Sequence, residues 1–419
     1  MLKIKETKEI LSFEKGPIRR SLFTNGAVSL FHKIAGRKLA CVNLYFLAGS
    51  IFETKDNYGI AHVLEHMLFK ESKDSNIVRE LEFLGAEINA YTSKEYVCFE
   101  LSCISSKLEL FLPKFLNLFL NPSFEISELK LEKNVIIQEL KEDKDDHETE
   151  AIEYIFKKNF NEEYGHSIGG SRSLVRKFTK EEVLKFYNCY FTSNRMILSV
   201  VSGLNFNSLE GICCREFPDT KYRKSYRLKT LKENSKLSHF KAKLDRRMEN
   251  SILMYSFDGL CLNHKHYYDL LILDELLFEG LSSKFFTILR EKMGLIYSLG
   301  SSINSYAITG NYIMVFNVSP KNLIQTKKTI KEILNFYCKE FFLTEEVEAI
   351  KNRVIEGWQV SFDEAIERCD YIAQEEIYGT NDYSIAKMEI ELKKVSKKSL
   401  KNMMIRLVKD GFSELVMGK

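Results

Sequence analysis

The sequence predicts a protein of two domains that mix strands and helices, with a second half that repeats the first. Three observations lead to this fold class. The chain has 419 residues, which is too long for one ordinary hydrophobic core. Strand-like and helix-like segments alternate along it. Residues 273–278 align with residues 64–69 at an offset of 275 − 66 = 209, and the same offset pairs Gly294 with Gly85.

The elements of the first half can be placed from hydrophobic periodicity and from turn and capping residues. The predicted elements are strands at 27–32 and 39–46, a helix around His62, a helix over 76–83, two strands within 86–104, helices over 108–120 and from Ser127 to at least Leu140, a helix over 180–187 and a strand over 196–203.

The second half repeats the order of helix followed by strand, and residues 351–354 resemble 133–135 at an offset of 351 − 133 = 218. Between the halves, residues from about 214 to 236 are charged, rich in tyrosine and without periodicity, which indicates a linker. We therefore expect one domain over residues 1–214, a linker over 215–236 and a second domain over 237–419.

Composition narrows the class of protein. The chain has 61 basic and 58 acidic residues, and this balance predicts neither nucleic acid nor a membrane surface as a partner. Residues 1–9 lack the features of a signal or transit peptide, and no apolar run is long enough to span a bilayer. The nine cysteines show no C-x-x-C spacing, so we expect reduced thiols in a cytoplasmic protein.

The strongest motif is His62-Val63-Leu64-Glu65-His66. On a helix, side chains three and four positions apart share a face, so the two imidazoles can bind one metal ion while Glu65 points into the same space. Two histidines suit zinc, and the spacing H-x-x-E-H is the signature of the inverzincins. A polar helix face is the alternative, but the apolar neighbours predict a mostly buried helix in which such groups need partners.

The third metal ligand is left open by the residues alone. The long helix after Ser127 carries Glu128, Glu132, Glu139 and Glu142 as candidates. Glu132 and Glu139 lie about two turns apart and so project from one face. The repeat has Leu271, Asp274 and Glu275 at the positions of the metal motif, and it therefore has no imidazole there.

In the second half, Arg290 and Tyr297 offer hydrogen-bond donors that can stabilise negative charge on a tetrahedral intermediate. An ordinary turn between helix and strand, with a solvated arginine and a packed tyrosine, explains the same spacing and is favoured by spacing alone.

Together these residues, with Asn89-Ala90-Tyr91-Thr92, resemble the pitrilysin/insulysin family of zinc metallopeptidases, in its short-chain branch that includes the mitochondrial processing peptidase. The resemblance covers essentially the whole chain. It implies two homologous α+β domains, each an antiparallel sheet with helices packed on one side, which face each other across a chamber.

The resemblance also implies roles for the matching residues. His62, His66 and Glu139 would bind one Zn²⁺ per chain, Glu65 would be the general base, and Glu132 would orient a zinc-binding histidine. The strand of Asn89, Ala90, Tyr91 and Thr92 would pair with an extended substrate, and Arg290 and Tyr297 would contact the substrate near the scissile bond.

The implied function is a zinc endopeptidase that hydrolyses peptides or unfolded polypeptide segments. Because the zinc motif and the Arg/Tyr pair are both present in one chain, a homodimer is favoured, with a heterodimer of paralogues as the alternative. A processing protease with one dedicated peptide substrate and a noncatalytic subunit are the other functions considered.

Overall fold

A computed structural model describes residues 2–12, 16–70, 77–221, 224–228, 237–379, 383 and 385–418 of the protein. The chain forms two compact units, and each is made of three segments. The first unit comprises 1–142, 166–230 and 360–385, and the second comprises 143–165, 231–359 and 386–419.

Strands and helices alternate in both units. The strands are β1 (Ile4–Ser12), β2 (Gly16–Phe23), β3 (Val28–Lys33), β4 (Leu39–Phe46), β5 (Glu87–Thr92), β6 (Val97–Ile104), β7 (Met196–Ser202), β8 (Lys241–Leu244), β9 (Ser251–Asp258), β10 (Ile296–Ser305), β11 (Gly310–Val318) and β12 (Phe412–Met417). The helices are α1 (Ile60–Leu68), α2 (Ile77–Phe83), α3 (Leu108–Leu120), α4 (Ile126–Asp145), α5 (His147–Asn159), α6 (Glu162–Gly165), α7 (Arg172–Lys177), α8 (Lys180–Tyr190), α9 (Phe206–Glu216), α10 (Tyr267–Phe278), α11 (Leu323–Lys339), α12 (Thr344–Ser361), α13 (Ala365–Ile377), α14 (Ile385–Lys394) and α15 (Lys397–Asp410). A π-helix spans Phe286–Lys292.

The first unit is built on a seven-stranded sheet in the order β1-β2-β3-β7-β4-β6-β5. Neighbouring strands are antiparallel except β3 and β7, which are parallel. Side chains alternate between the faces of a strand, and on β4 the residues Val42, Leu44 and Phe46 join α1, α3 and α8 in one hydrophobic core.

Helix α13 covers the opposite face of this sheet, although it comes from the last quarter of the chain. Tyr45 donates a hydrogen bond to Asp370 of α13, and the Ser199 hydroxyl donates to the Cys369 carbonyl oxygen over 2.8 Å. Arg20 donates both arms of its guanidinium to Glu376 at 2.8 and 2.9 Å. The first sheet therefore carries helices on both faces rather than on one.

The second unit is built on a five-stranded sheet in the order β10-β11-β9-β12-β8, with β12 and β8 parallel and the other pairs antiparallel. One face packs against α10, α11 and α15. The other face packs against α5, since Ala151 and Ile155 share a core cluster with Ile252, Met254 and Leu415. Helix α5 belongs to the first half of the sequence, so the two halves exchange one helix each.

The strand orders confirm the internal repeat. The series β5-β6-β4-β7-β3 of the first sheet and β10-β11-β9-β12-β8 of the second match strand for strand, including the parallel pair at the end. The exchanged helices also correspond, because α5 and α13 begin at an offset of 365 − 147 = 218.

The α+β fold class and the two domains are confirmed, and most first-half elements lie where periodicity placed them. The domain boundaries stay a prediction, but one linker between continuous domains does not describe the exchange of segments seen in the compact units. Part of the predicted linker, residues 222–223 and 229–236, lies outside the described residues. Among the described helices, none has the length and apolar character needed to cross a bilayer.

Candidate zinc centre

The metal motif lies on α1, whose sequence separates an apolar face from a polar one. Six of its nine residues are buried: Ile60, Ala61, Val63, Leu64, Met67 and Leu68. The remaining face presents His62, Glu65 and His66, which are half-buried. Burial of the apolar face therefore directs all three polar side chains of the motif toward one space.

His62, His66 and Glu139 come together in the first unit. The Glu139 Oε2 atom lies 4.0 Å from His62 Nε2 and 3.5 Å from His66 Nε2. The three donor atoms all lie within 4.8 Å of one another, and the two imidazole rings are perpendicular. Two imidazole nitrogens and one carboxylate oxygen are the protein ligand set of many catalytic zinc sites, so the residues fit the ion.

Glu132 occupies the other side of His66. Its Oε2 atom lies 3.0 Å from His66 Nδ1, and its Oε1 atom accepts a hydrogen bond from Lys70 Nζ at 2.9 Å. When His66 Nδ1 donates its proton to this buried carboxylate, the Nε2 lone pair points toward Glu139. Such a partner fixes the tautomer and the orientation of a histidine ligand.

His62 is held differently. Burial, followed by the proximity of His66, lowers the pKa of His62 from 6.5 to about 4. The ring is therefore neutral at neutral pH, as a metal ligand must be. Its Nδ1 atom is buried and finds no hydrogen-bond partner within the described parts of the chain, whereas Nδ1 of His66 faces Glu132.

Glu65 lies beside this set of donors, close enough for its charge to interact with those of His66 and Glu139, and it contacts strand β5. Its Oε2 atom accepts a hydrogen bond of 2.7 Å from the Thr92 hydroxyl. Burial raises the pKa of Glu65, the hydrogen bond from Thr92 and the charge of His66 oppose the shift, and Glu139 adds to it. A carboxylate with a raised pKa takes up a proton more readily, which suits a general base.

The four predicted substrate-binding residues, Asn89, Ala90, Tyr91 and Thr92, form the end of β5. This strand lies at the edge of the first sheet and pairs with β6 on one side. Its other side presents backbone groups that an extended peptide can pair with.

Of the remaining candidates, Glu128 and Glu142 do not join the metal ligand set. Arg290 lies exposed in the π-helix of the second unit. Its guanidinium carbon lies 5.0 Å from the centre of the Phe286 ring. Tyr297 lies in β10 with 75% of its surface exposed. The alternative prediction, that this tyrosine is packed in an ordinary turn, is therefore wrong.

Sequence reasoning missed three groups around the site. Lys70 follows α1 and shares Glu132 with His66. Glu53 accepts hydrogen bonds from the first turn of α1, and His166 contacts Glu53. A lysine four residues after His66 is a signal that helical spacing offers. Glu53 and His166 are far apart in sequence, and no spacing rule brings them together.

Comparison with known proteins covers both units. Residues 30–172 match the insulinase family (peptidase family M16), and residues 177–354 match the peptidase M16 inactive domain. The uncharacterized zinc protease YmxG of Bacillus subtilis is 26% identical over 344 residues, which are 80% of this chain and 82% of YmxG. The mitochondrial-processing peptidase subunit beta of Caenorhabditis elegans is 28% identical over 194 residues, 45% of this chain and 42% of that subunit.

Two solved structures share the fold. The peptidase M16 inactive domain from Pseudomonas fluorescens has a TM-score of 0.86 and 16% identity, with 99% of this chain and 98% of that chain covered. A protease from Helicobacter pylori has a TM-score of 0.84 and 17% identity over the whole of both chains.

Proposed function

Because the chain belongs to the insulinase (M16) family of zinc proteases, we propose that it is an active zinc endopeptidase that hydrolyses peptides or unfolded polypeptide segments. The observation that carries the proposal is the convergence of His62, His66 and Glu139 within 4.8 Å of one another, with Glu65 one residue before the second histidine. A noncatalytic subunit has no need of this complete set of residues.

Each residue of the site has a separate role in the proposed reaction. A bound zinc ion would supply Lewis acidity toward the scissile carbonyl and lower the pKa of water. His62, His66 and Glu139 would hold the ion, and Glu132 keeps His66 in the required tautomer. Glu65 takes a proton from the attacking water and returns it to the leaving amine.

Substrate binding rests on β5. An extended peptide adds to the free side of this strand, so backbone hydrogen bonds give affinity without a strict sequence requirement. Thr92 ends the strand and donates to Glu65, which places the paired substrate beside the general base. Arg290 and Tyr297, both exposed in the second unit, are the proposed contacts to the substrate near the scissile bond.

For the assembly we propose a homodimer that encloses the substrate in a chamber, since one chain carries both the zinc motif and the Arg/Tyr pair. The similarity to a mitochondrial-processing peptidase subunit beta favours a second candidate, a heterodimer with a paralogue that processes one dedicated peptide.

The test compares the purified wild-type protein with Glu65→Gln, using zinc content and cleavage of a quenched fluorescent peptide library. We expect about one zinc per chain in both proteins and cleavage only by the wild type, since Glu65 is a base and not a ligand. Glu139→Ala is the matched variant and should lose zinc together with activity. A wild type without zinc would contradict the proposal, and a wild type with zinc but without cleavage would favour the dedicated substrate or the paralogous partner.

A further inference from the structure

A second carboxylate lies next to the metal motif, and the proposed reaction does not use it. Glu53 is buried, and both its oxygens accept hydrogen bonds from the first turn of α1. Oε2 accepts from the Gly59 amide and Oε1 from the Ala61 amide, each at 2.8 Å. Gly59 precedes the helix with φ +99° and has no side chain to cap it, so Glu53 serves as the cap from a distance.

His166 holds Glu53 from the other side. Its Nε2 atom lies 3.1 Å from Glu53 Oε2, and its ring stacks on Tyr58 with centroids 3.9 Å apart and an interplanar angle of 9°. Burial raises the pKa of Glu53, while the hydrogen bonds from His166 and the two amides oppose that shift.

Two further contacts involve His166 and Tyr58. Lys94, in the turn after β5, donates a hydrogen bond to the carbonyl oxygen of His166. Gly170, four residues after His166, approaches so closely that an added Cβ would lie 2.1 Å from the Tyr58 carbonyl oxygen. The first turn of α1 and His166 thus contact one buried carboxylate directly. The turn after the substrate strand and the loop after His166 contact His166 and Tyr58 in turn.

We propose that Glu53 and His166 are positioning residues of the candidate zinc centre: Glu53 anchors the first turn of α1, and His166 holds Glu53 in place. His62 is the third residue of α1, so a shift of this turn moves a metal ligand directly. The inference rests on the proposed zinc site. It predicts that the anchor sets metal affinity and not only helix stability.

The test uses Glu53→Gln and His166→Phe in the full chain. Glutamine keeps the size of Glu53 but brings an N–H group to face a backbone N–H. Phenylalanine keeps the stacking on Tyr58 and removes the donor to Glu53. Zinc affinity is measured by competition with a chromogenic chelator, alongside Tm, kcat and KM. We expect zinc binding to be about 10- to 100-fold weaker in Glu53→Gln, and weakened to a smaller extent in His166→Phe. In both variants kcat should fall while KM stays within about twofold.

Glu376→Gln is the matched control, since this buried carboxylate also accepts several hydrogen bonds but does so on α13, on the other face of the sheet. It should lower Tm and leave zinc affinity unchanged. If Glu53→Gln lowers Tm in the same way with unchanged zinc affinity and kcat, Glu53 is only a helix cap and the proposal is overturned. If Glu53→Gln does not fold, His166→Phe decides by the same measurements.

A failure of the proposed function is distinguishable, because the wild type would then bind no zinc. Hydrogen exchange of the Gly59 and Ala61 amides in the metal-free chain would then decide the anchor alone. Faster exchange in both variants supports it, and unchanged exchange overturns it.

Discussion

The burial of Asp274 in the second unit predicts how the stability of the protein changes with pH. Asp274 stands at the position of Glu65 in the repeat, since 65 + 209 = 274, but no imidazole lies at the neighbouring positions of the motif. Its carboxylate accepts a hydrogen bond of 2.7 Å from the Tyr312 hydroxyl. Burial raises the pKa of Asp274 from 3.8 to about 6, against the opposing effect of this hydrogen bond.

The sign of the effect on stability follows from the raised pKa. The folded state binds the proton of Asp274 more tightly than the unfolded state does. Its contribution to the free energy of unfolding is therefore fully present below about pH 3.8 and is lost as the pH rises through about 6. The difference between these two pKa values, 6 − 3.8, corresponds to a loss of about 3 kcal/mol in the free energy of unfolding. Because Asp274 is only half-buried, solvent screening reduces the expected loss to roughly 1–3 kcal/mol.

Asp274→Asn removes the charge, keeps the shape and still accepts the hydrogen bond from Tyr312. We expect the variant to be more stable than the wild type by roughly 1–3 kcal/mol at pH 7.5, with about half that difference at pH 5. Urea unfolding followed by tryptophan fluorescence measures it, because Trp358 is the single tryptophan of the sequence and lies on α12 of the second unit.

Asp245→Asn is the control, since its carboxylate is 85% exposed in the same unit, and it should stay within about 0.5 kcal/mol of the wild type. Equal stability of Asp274→Asn and wild type at pH 7.5, or a difference that does not change with pH, would refute the reasoning about burial.

Three other predictions concern the candidate site. Glu132→Gln should weaken zinc binding about 10- to 100-fold in a chelator competition assay, because the partner of a histidine ligand loses its charge. The double variant Arg290→Ala, Tyr297→Phe should retain zinc and lose activity. Mixing it with Glu65→Gln should restore activity if each active site of a homodimer combines residues from both subunits. Gly170→Ala should lower Tm by far more than Gly36→Ala. Both glycines have positive φ, +70° and +76°, but an added Cβ clashes only at Gly170.

Each of these has its own contrary result. Unchanged zinc affinity in Glu132→Gln would show that Lys70 neutralises this carboxylate without any effect on His66. A lack of restored activity, in a mixture shown to exchange subunits, would argue against shared sites. Equal losses of Tm at Gly170 and Gly36 would mean that backbone strain, and not crowding against the backbone of Tyr58 and Gly59, determines the cost.

Local patterns predicted much of this site because helical spacing is local. The position of His62, Glu65 and His66 on one face of α1 follows from the spacing of its apolar residues. The choice of Glu139 over Glu132 does not follow from spacing, because both project from the same face of α4. Only their distances to His66, 3.5 Å to Nε2 and 3.0 Å to Nδ1, separate them.

Long-range placement was beyond these patterns. An apolar helix face indicates that α13 is buried, but not which sheet buries it. The polar partners that fix the choice, Tyr45 with Asp370 and Arg20 with Glu376, are separated by more than 300 residues. The same holds for Glu53 and His166, which are 113 residues apart.

The exchange of α5 and α13 has a consequence for how the chain can be divided. The polypeptide passes between the two units five times, at 142/143, 165/166, 230/231, 359/360 and 385/386. If the chain is cut in the middle of the sequence, each fragment contains one sheet and the helix that packs on the other sheet. One face of each sheet is then left without its covering helix. We therefore expect that neither half folds independently. Two fragments from a single cut should remain associated as a noncovalent pair, and each expressed alone should aggregate through the exposed sheet face.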